Sequence, residues 1–229
     1  MLGCAPKRMG IAAADPMMLR VMSYNIHHAN PPAVPGKIDI DAIAEVIKKQ
    51  KPDLVALQEV DVNTARSGKI NEASMLALKL GMGFYFAKAI DHDGGEYGVA
   101  LLSRYPISGM RTYRLPTQEG TKGEARVLAT AIVTLPNGKK LRFGSTHLDA
   151  QKDDTNRLLQ VAELNAISKQ ETMPFIIAGD LNATPGSAPI ALFDAYYSRT
   201  CSSCAFTIPV IEPKRTIDFV AFSKGSAFE

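Results

Sequence analysis

The sequence predicts an α/β (α+β) sandwich, in which mixed β-sheets are covered on the outside by helices. Three observations predict it. Short apolar runs of strand length recur along the chain between Gly, Pro and Asp/Asn signals. Segments with helical spacing separate several of these runs, the order expected of crossovers between parallel strands. An Asn-Gly pair, Asn137 and Gly138, joins two other runs directly, which marks a hairpin and hence antiparallel pairing.

In chain order, "LRVMSYN" ending at Asn25 is the first strand. "IDIDAIAEVIKKQ" follows as a helix that places Ile40, Ile43, Ala44 and Ile47 on one face; Asp39 or Asp41 caps its start and Pro52 closes it. "DLVALQE" is a strand ending at Glu59, and "NEASMLALKL" a helix stopped by Gly81. "GFYFAK", "YGVALLS", "RVLATAIVTL" and "KLRFGSTH" read as successive strands, the last two joined by the hairpin. "DDTNRLLQVAELNAISKQ" carries Leu158, Val161, Leu164 and Ile167 at helical spacing. "PFIIAGD" is a strand, Ser187 through Tyr196 a short helix, and "TIDFVAFS" a last strand beginning near Asp218. No repeat, low-complexity tract or linker interrupts the series. One domain is therefore expected over residues 19–229, preceded by a flexible N-terminal extension over residues 1–18.

A chain of 229 residues with 46% hydrophobic and 21% charged residues can bury a substantial core. Its net charge of +3, without a dense run of Lys or Arg, permits an anionic partner but argues against a nucleic-acid wrapper. No uninterrupted apolar stretch reaches the length of a membrane span, and a monomer is expected. Cys201 and Cys204 form a C-S-S-C pair open to three readings: unpaired thiols, a disulfide, or half a zinc site, the last lacking a second pair of ligands. Cys4, in "MLGCA", resembles the end of a bacterial lipoprotein processing site without the charged and apolar segments that should precede it. That likeness predicts an envelope or secreted protein if it is a remnant, and a cytoplasmic one otherwise.

Acids and amides fall at the ends of the apolar runs. Asn25, Glu59, His147 and Asp180 each close one, Asp149 and Asn182 lie two residues beyond the last two, and Asp218 opens the final one. Antiparallel neighbours put one strand's start beside another's end, so Asn25, Glu59, His147, Asp180 and Asp218 can meet at a single rim. Taken singly, each has an ordinary structural role. Asp180 and Asn182 suit a turn, Asn25 another, Glu59 a solvated strand end, His147 a satisfied rim histidine, and Asp218 a partner for Arg215. Together they repel unless a cation binds, and oxygen donors at that density suit magnesium, manganese or calcium better than zinc.

The motifs "MSYNIHH", "LQEVD", "YGVALLSRYP", "STHLDA", "GDLNATP" and "TIDFV" occur in this order over residues 19 to 223. In this the chain resembles the endonuclease/exonuclease/phosphatase superfamily, the deoxyribonuclease I-like metal-dependent phosphoesterases. The resemblance implies a four-layer sandwich, two mixed sheets face to face with helices outside. It implies Glu59 as the main metal ligand, with Asn25 and Asp218 supporting the metal and phosphate. It further implies Asp180 as the group that readies the attacking water, Asn182 and His147 as phosphate-holding catalytic residues, and Arg126 near the phosphate. Arg126 also has a plainer reading as a solvated charge at a strand start. The chemistry needs these types: a cation to neutralise an anionic phosphoester, a base for the water, and donors for the developing charge.

One feature departs from the family. Its members close with a Ser-Asp-His segment and a further strand, whereas the four histidines here are His27, His28, His92 and His147, none after Asp218. The domain is accordingly expected to lack its C-terminal strand through truncation, with reduced activity in this form. The expected function is magnesium-dependent hydrolysis of a phosphoester, foremost a phosphodiester, on a small molecule, lipid headgroup or nucleic acid. The alternatives are a non-catalytic protein that binds phosphoryl ligands on the same scaffold, or a nucleic-acid endonuclease or exonuclease. The absence of Trp and the scattered basic residues favour a compact substrate over nucleic acid.

Overall fold

Two β-sheets pack face to face, and each carries a pair of helices on its outer side. The computed structural model describes residues 17–32, 34–226 and 228; the extension expected over residues 1–18 falls almost wholly outside these, as does Cys4. In chain order the described residues form β1 (Val21–Asn25), α1 (Ile40–Gln50), β2 (Leu54–Val62), α2 (Glu72–Leu80), β3 (Gly83–His92), β4 (Gly95–Ser103) and β5 (Ile107–Leu115). There follow β6 (Arg126–Thr134), β7 (Lys140–His147), α3 (Thr155–Gln170), β8 (Phe175–Asp180), α4 (Ala188–Phe193), β9 (Tyr197–Arg199) and β10 (Asp218–Ser223).

The four-stranded sheet has the order β1-β2-β4-β3 and the six-stranded sheet the order β5-β6-β7-β8-β10-β9. Among the described residues only β1–β2 and β7–β8 are parallel pairs, and these are the pairs whose strands are joined through α1 and α3. A parallel pair needs such a crossover, whereas the hairpin at Asn137–Gly138 makes β6 and β7 antiparallel, as expected.

Period-two alternation in the buried strands separates the layers. In β2, Leu54 and Ala56 enter the core between the sheets while Val55 and Leu57 face α1 and α2. In β8, Ile176 and Ala178 face the other sheet and Phe175 and Ile177 face α3 and α4. A fully buried polar contact crosses this apolar interface close to the strand ends. Gln58 Nε2 donates to Ser145 Oγ at 3.2 Å, and Ser145 Oγ donates to the Leu57 carbonyl at 3.1 Å. Gln58, Ser145 and Leu57 are all closed to solvent, which makes the link a fixed joint between β2 and β7.

Several local expectations need correction. Asp39, not Asp41, caps α1 through the Ala42 N–H, and the predicted apolar face of Ile40, Ile43, Ala44 and Ile47 is buried. The strand ending at Glu59 instead runs on to Val62. A bulge between Leu57 and Val60 sets Gln58 and Glu59 against the single residue Val99, and Glu59 takes a left-handed φ of 57°. Two strands were unforeseen. β5 is a mostly exposed edge strand with little apolar pattern, and β9 has three residues. The buried face of α3 is largely polar: Asn156, Arg157, Gln160, Asn165 and Ser168 are enclosed with Val161 and Leu164, whereas Leu158 and Ile167 are only partly covered. Cys201 and Cys204 are joined in a disulfide.

Candidate active site

β1, β7 and β8 end, and β10 begins, at one rim. Register places Asp180 opposite Asp218 in the antiparallel β8–β10 pair and opposite His147 in the parallel β7–β8 pair. The other sheet contributes Asn25 and Glu59. Asn25 spans the gap between sheets: its Nδ2 donates to Glu59 Oε1 at 2.8 Å and to Asp180 Oδ2 at 3.3 Å. The structure therefore brings Asn25, Glu59, His147, Asp180 and Asp218 together, although Glu59 arrives from inside a bulged strand rather than from its end.

The two oxygens of Asp180 do different things. Oδ1 accepts the backbone N–H of Asn182 at 2.9 Å, an Asx turn that sets Asn182 at a φ of 47°. Oδ2 faces Asn25 and lies 3.7 Å from His147 Nε2. The turn chemistry and the presentation of a carboxylate oxygen thus coexist in "GDLN". Burial, and after it the charge of Asp218, push the pKa of Asp180 well above the ordinary carboxylate range. Burial also raises Asp218, partly offset by the Thr207 hydroxyl. Arg215 forms no ion pair with Asp218 among the described residues; its backbone pairs with Thr207 and Ile208 instead.

Arg126 is buried beside His147, its Nη1 3.3 Å from His147 Nδ1, so it is not a solvated strand-start charge. A guanidinium can only donate, so Nδ1 accepts and the ring proton sits on Nε2. Burial and the Arg126 charge hold the His147 pKa well below its usual value, which keeps the ring neutral. His147 accordingly turns an N–H toward Asp180. Arg126 also pairs with Glu124 at 3.0 Å. Tyr97, Gly98, Val99, Ala89 and Val127 pack closely around Arg126 and His147. Tyr97 was not foreseen from sequence; it lies inside the strand run "YGVALLS", where an aromatic reads as core.

Neighbouring elements fix these side chains. Beyond His147, the backbone N–H of Asp149 donates to Gln160 Oε1 at 2.8 Å and the Asp149 carbonyl accepts from Arg157 at 2.8 Å, so the polar face of α3 anchors the segment. Asp149 is turned toward α3, away from the rim. Asn182 Nδ2 donates to the Leu148 carbonyl at 3.0 Å, tying the segments after β7 and β8 together.

Immediately after Asn25 the chain makes a single 3₁₀ turn, His27–Ala29, in which His27, His28 and Ala29 all have positive φ, 47°, 42° and 52°. This turn brings both imidazoles to Glu59. Ligand atoms of His27, His28 and Glu59 all lie within 4.8 Å of one another; among the described residues, Glu59, Asp180 and Asp218 form no such group. The doublet "HH" was visible in sequence, but nothing in its spacing pointed to Glu59, more than thirty residues away.

The profile of the Endonuclease/Exonuclease/phosphatase family matches residues 22–228. Among curated proteins, the chain is 26% identical over 147 residues to protein cwh43 of Schizosaccharomyces pombe, covering 64% of this chain and 14% of that protein. It is 25% identical over 224 residues to the uncharacterized protein YbhP of Escherichia coli, covering 91% of this chain and 86% of that protein. It thus spans a small part of the first relative and most of the second. Among solved structures, an endonuclease/exonuclease/phosphatase from Beutenbergia cavernae superposes with a TM-score of 0.71 at 24% identity, over 90% of this chain and 64% of that one. At that identity the likeness carries the fold.

Proposed function

Because the chain belongs to the endonuclease/exonuclease/phosphatase family, we propose that its strand-end rim hydrolyses a phosphodiester by attack of water on phosphorus. The observation that carries this reading is the position of Asp180. It is bonded to Asn25 of the opposite sheet, faces Asp218 in register, and lies 3.7 Å from the protonated nitrogen of His147. A buried carboxylate with raised proton affinity is a competent base, and Asn25 and the Asx turn hold its orientation. Asp180 takes a proton from the attacking water as the water oxygen bonds to phosphorus and the P–O bond to the leaving group breaks, the departing oxygen taking its proton from solvent water. His147 donates through Nε2–H to a phosphoryl oxygen that gains charge, and Arg126 holds the tautomer that makes this possible. Asn182, tied to Leu148, orders the adjoining edge of the phosphate site.

The donor set fits a divalent cation. Glu59 is a partly exposed carboxylate steered by Asn25, and Asp180 and Asp218 add negative charge that their own burial makes unfavourable. Glu59 with Asn25 and Asp218 would hold the ion, with magnesium or manganese foremost and calcium as a third candidate. When bound, it neutralises phosphate charge and makes water more acidic.

The test is turnover of bis(p-nitrophenyl) phosphate with magnesium or manganese, with and without chelator, for the native chain and Asp180→Asn. Metal-dependent turnover that falls roughly 100-fold or more in the variant is expected. The substitution keeps size and hydrogen-bonding capacity, so the melting temperature should hardly move. Turnover within a few-fold of the native rate would return Asp180 to a turn-forming role. Phosphate binding without turnover in the native chain would favour a binding protein on this scaffold.

A further inference from the structure

We propose that His27, His28 and Glu59 form a site for a first-row transition-metal dication, held by two imidazoles and a carboxylate in preference to magnesium. The inference rests on the phosphoesterase reading only through the shared Glu59; the ligand set itself comes from geometry. Among the described residues this is the one group of three His, Cys, Asp or Glu side chains whose ligand atoms lie within 4.8 Å of one another. Bonds of about 2.0–2.2 Å set donor atoms roughly 3–4 Å apart around such an ion, so closing the site needs side-chain rotations of about an ångström.

The surrounding hydrogen bonds prepare the ligands. His27 Nδ1 lies 3.2 Å from the Asn30 carbonyl, which can only accept, so Nδ1 carries the proton and Nε2 presents its lone pair. The Asn25 side chain serves both ends of the site: its Oδ1 accepts the His27 backbone N–H at 3.1 Å, and its Nδ2 donates to Glu59 Oε1 at 2.8 Å. Among the described residues, His28 Nδ1 is buried without a hydrogen-bond partner, an unfavourable state for a polar atom that a ligand bond or a shared proton would relieve. Asp61, two residues beyond Glu59, is not an extra ligand, because Arg66 takes both its oxygens at 2.7 and 2.8 Å. The ring centroids of His27 and His28 are 4.2 Å apart with planes tilted by 50°, so the pair is not held by parallel stacking.

Backbone strain points the same way. His27, His28, Ala29 and Glu59 all adopt left-handed conformations that cost non-glycine residues about 1–2 kcal/mol each elsewhere. Glycine would relieve any of them, yet two of the positions carry imidazoles and one a carboxylate. Magnesium prefers oxygen donors and keeps its water, whereas imidazole nitrogen raises affinity for manganese, iron and zinc in rising order. His27 is exposed and His28 and Glu59 partly so, which leaves open positions for water or a phosphoryl oxygen.

The test uses the full chain with Mn²⁺ and Zn²⁺ as probes. Pulsed EPR of the Mn²⁺-loaded native protein should show ¹⁴N couplings of imidazole. Equilibrium dialysis should show Zn²⁺ bound roughly 100-fold more tightly than Mg²⁺. In a His27→Asn/His28→Asn double variant, chosen because Asn tolerates positive φ, the couplings should vanish and Zn²⁺ affinity fall at least about 10-fold while Mg²⁺ affinity holds. Bound Mn²⁺ without nitrogen couplings, or Zn²⁺ bound no better than Mg²⁺, would overturn the site. The native-protein spectrum decides even if the variant misfolds. Magnesium-driven hydrolysis without nitrogen couplings would sink this inference and leave the phosphoesterase reading standing. Couplings without any hydrolysis would do the reverse.

Discussion

Glu72 shows how far one side chain can depart from its apparent role. In the first turn of α2, a glutamate reads as a solvated group favouring the helix dipole. Here it is fully enclosed, with Oε2 accepting the Asp61 N–H at 2.8 Å and Oε1 without a partner among the described residues. Burial pushes its pKa up to about 8. Between the unfolded value of 4.5 and 8, the folded chain keeps a proton that the unfolded chain has released. Stability from this group is therefore intact below the unfolded value, declines as pH rises through the window, and is lost above it. Glu72→Gln removes the titration, so the variant should gain on the native chain by several degrees in melting temperature between pH 5 and pH 8.5. For a chain of this length each kcal/mol is worth roughly 2–4 °C. An equal temperature difference at both pH values would show that Glu72 does not titrate in this range. The residues of the site were far more legible. Asp180, Asn25 and His147 close apolar runs, a signal visible without coordinates, whereas Glu72 and Tyr97 sit where helix and strand patterns already account for them.

At the level of elements, the β7–β8 pair makes the sharpest demand. A Cβ on Gly179 would lie 2.1 Å from the Thr146 carbonyl oxygen, and both are backbone-bound positions that cannot swing aside. Gly179 precedes Asp180 and Thr146 precedes His147, so the closeness of these strands brings the carboxylate and the imidazole within reach. Gly179→Ala should destabilise by on the order of 3 kcal/mol and lower activity more than stability alone explains. A variant of native activity and melting temperature would mean the strands can part without cost to the site. The sequence revealed buried strands well because their apolar runs are continuous. It revealed β5 and β9 poorly, since an exposed edge strand and a three-residue strand carry little periodicity. The bulge in β2 was invisible for another reason: Val60 and Val62 simply continue an apolar run, and only the partner strand discloses the extra residue.

For the molecule as a whole, the order of six motifs made the layered fold legible, but pattern within a strand says nothing about how one sheet sits on the other. That relation matters because the rim draws Asn25 and Glu59 from one sheet and Arg126, His147, Asp180 and Asp218 from the other. A purely apolar interface would tolerate lateral slip, since dispersion contacts re-form after a small displacement. The hydrogen bond from Gln58 to Ser145 does not, being a directional link closed at 3.2 Å. It stands one residue before Glu59 and two before His147, and so acts as a dowel that sets positional tolerance across the seam. Ser145→Ala should leave the Gln58 amide buried without its acceptor at a cost of about 1–3 kcal/mol. Activity should fall roughly 10-fold or more, through lost alignment of the two halves rather than lost chemistry. A variant that melts earlier yet turns over at the native rate would show that the sheets are aligned by something else. If the dowel holds, the catalytic precision of this fold depends on a serine that never meets the substrate.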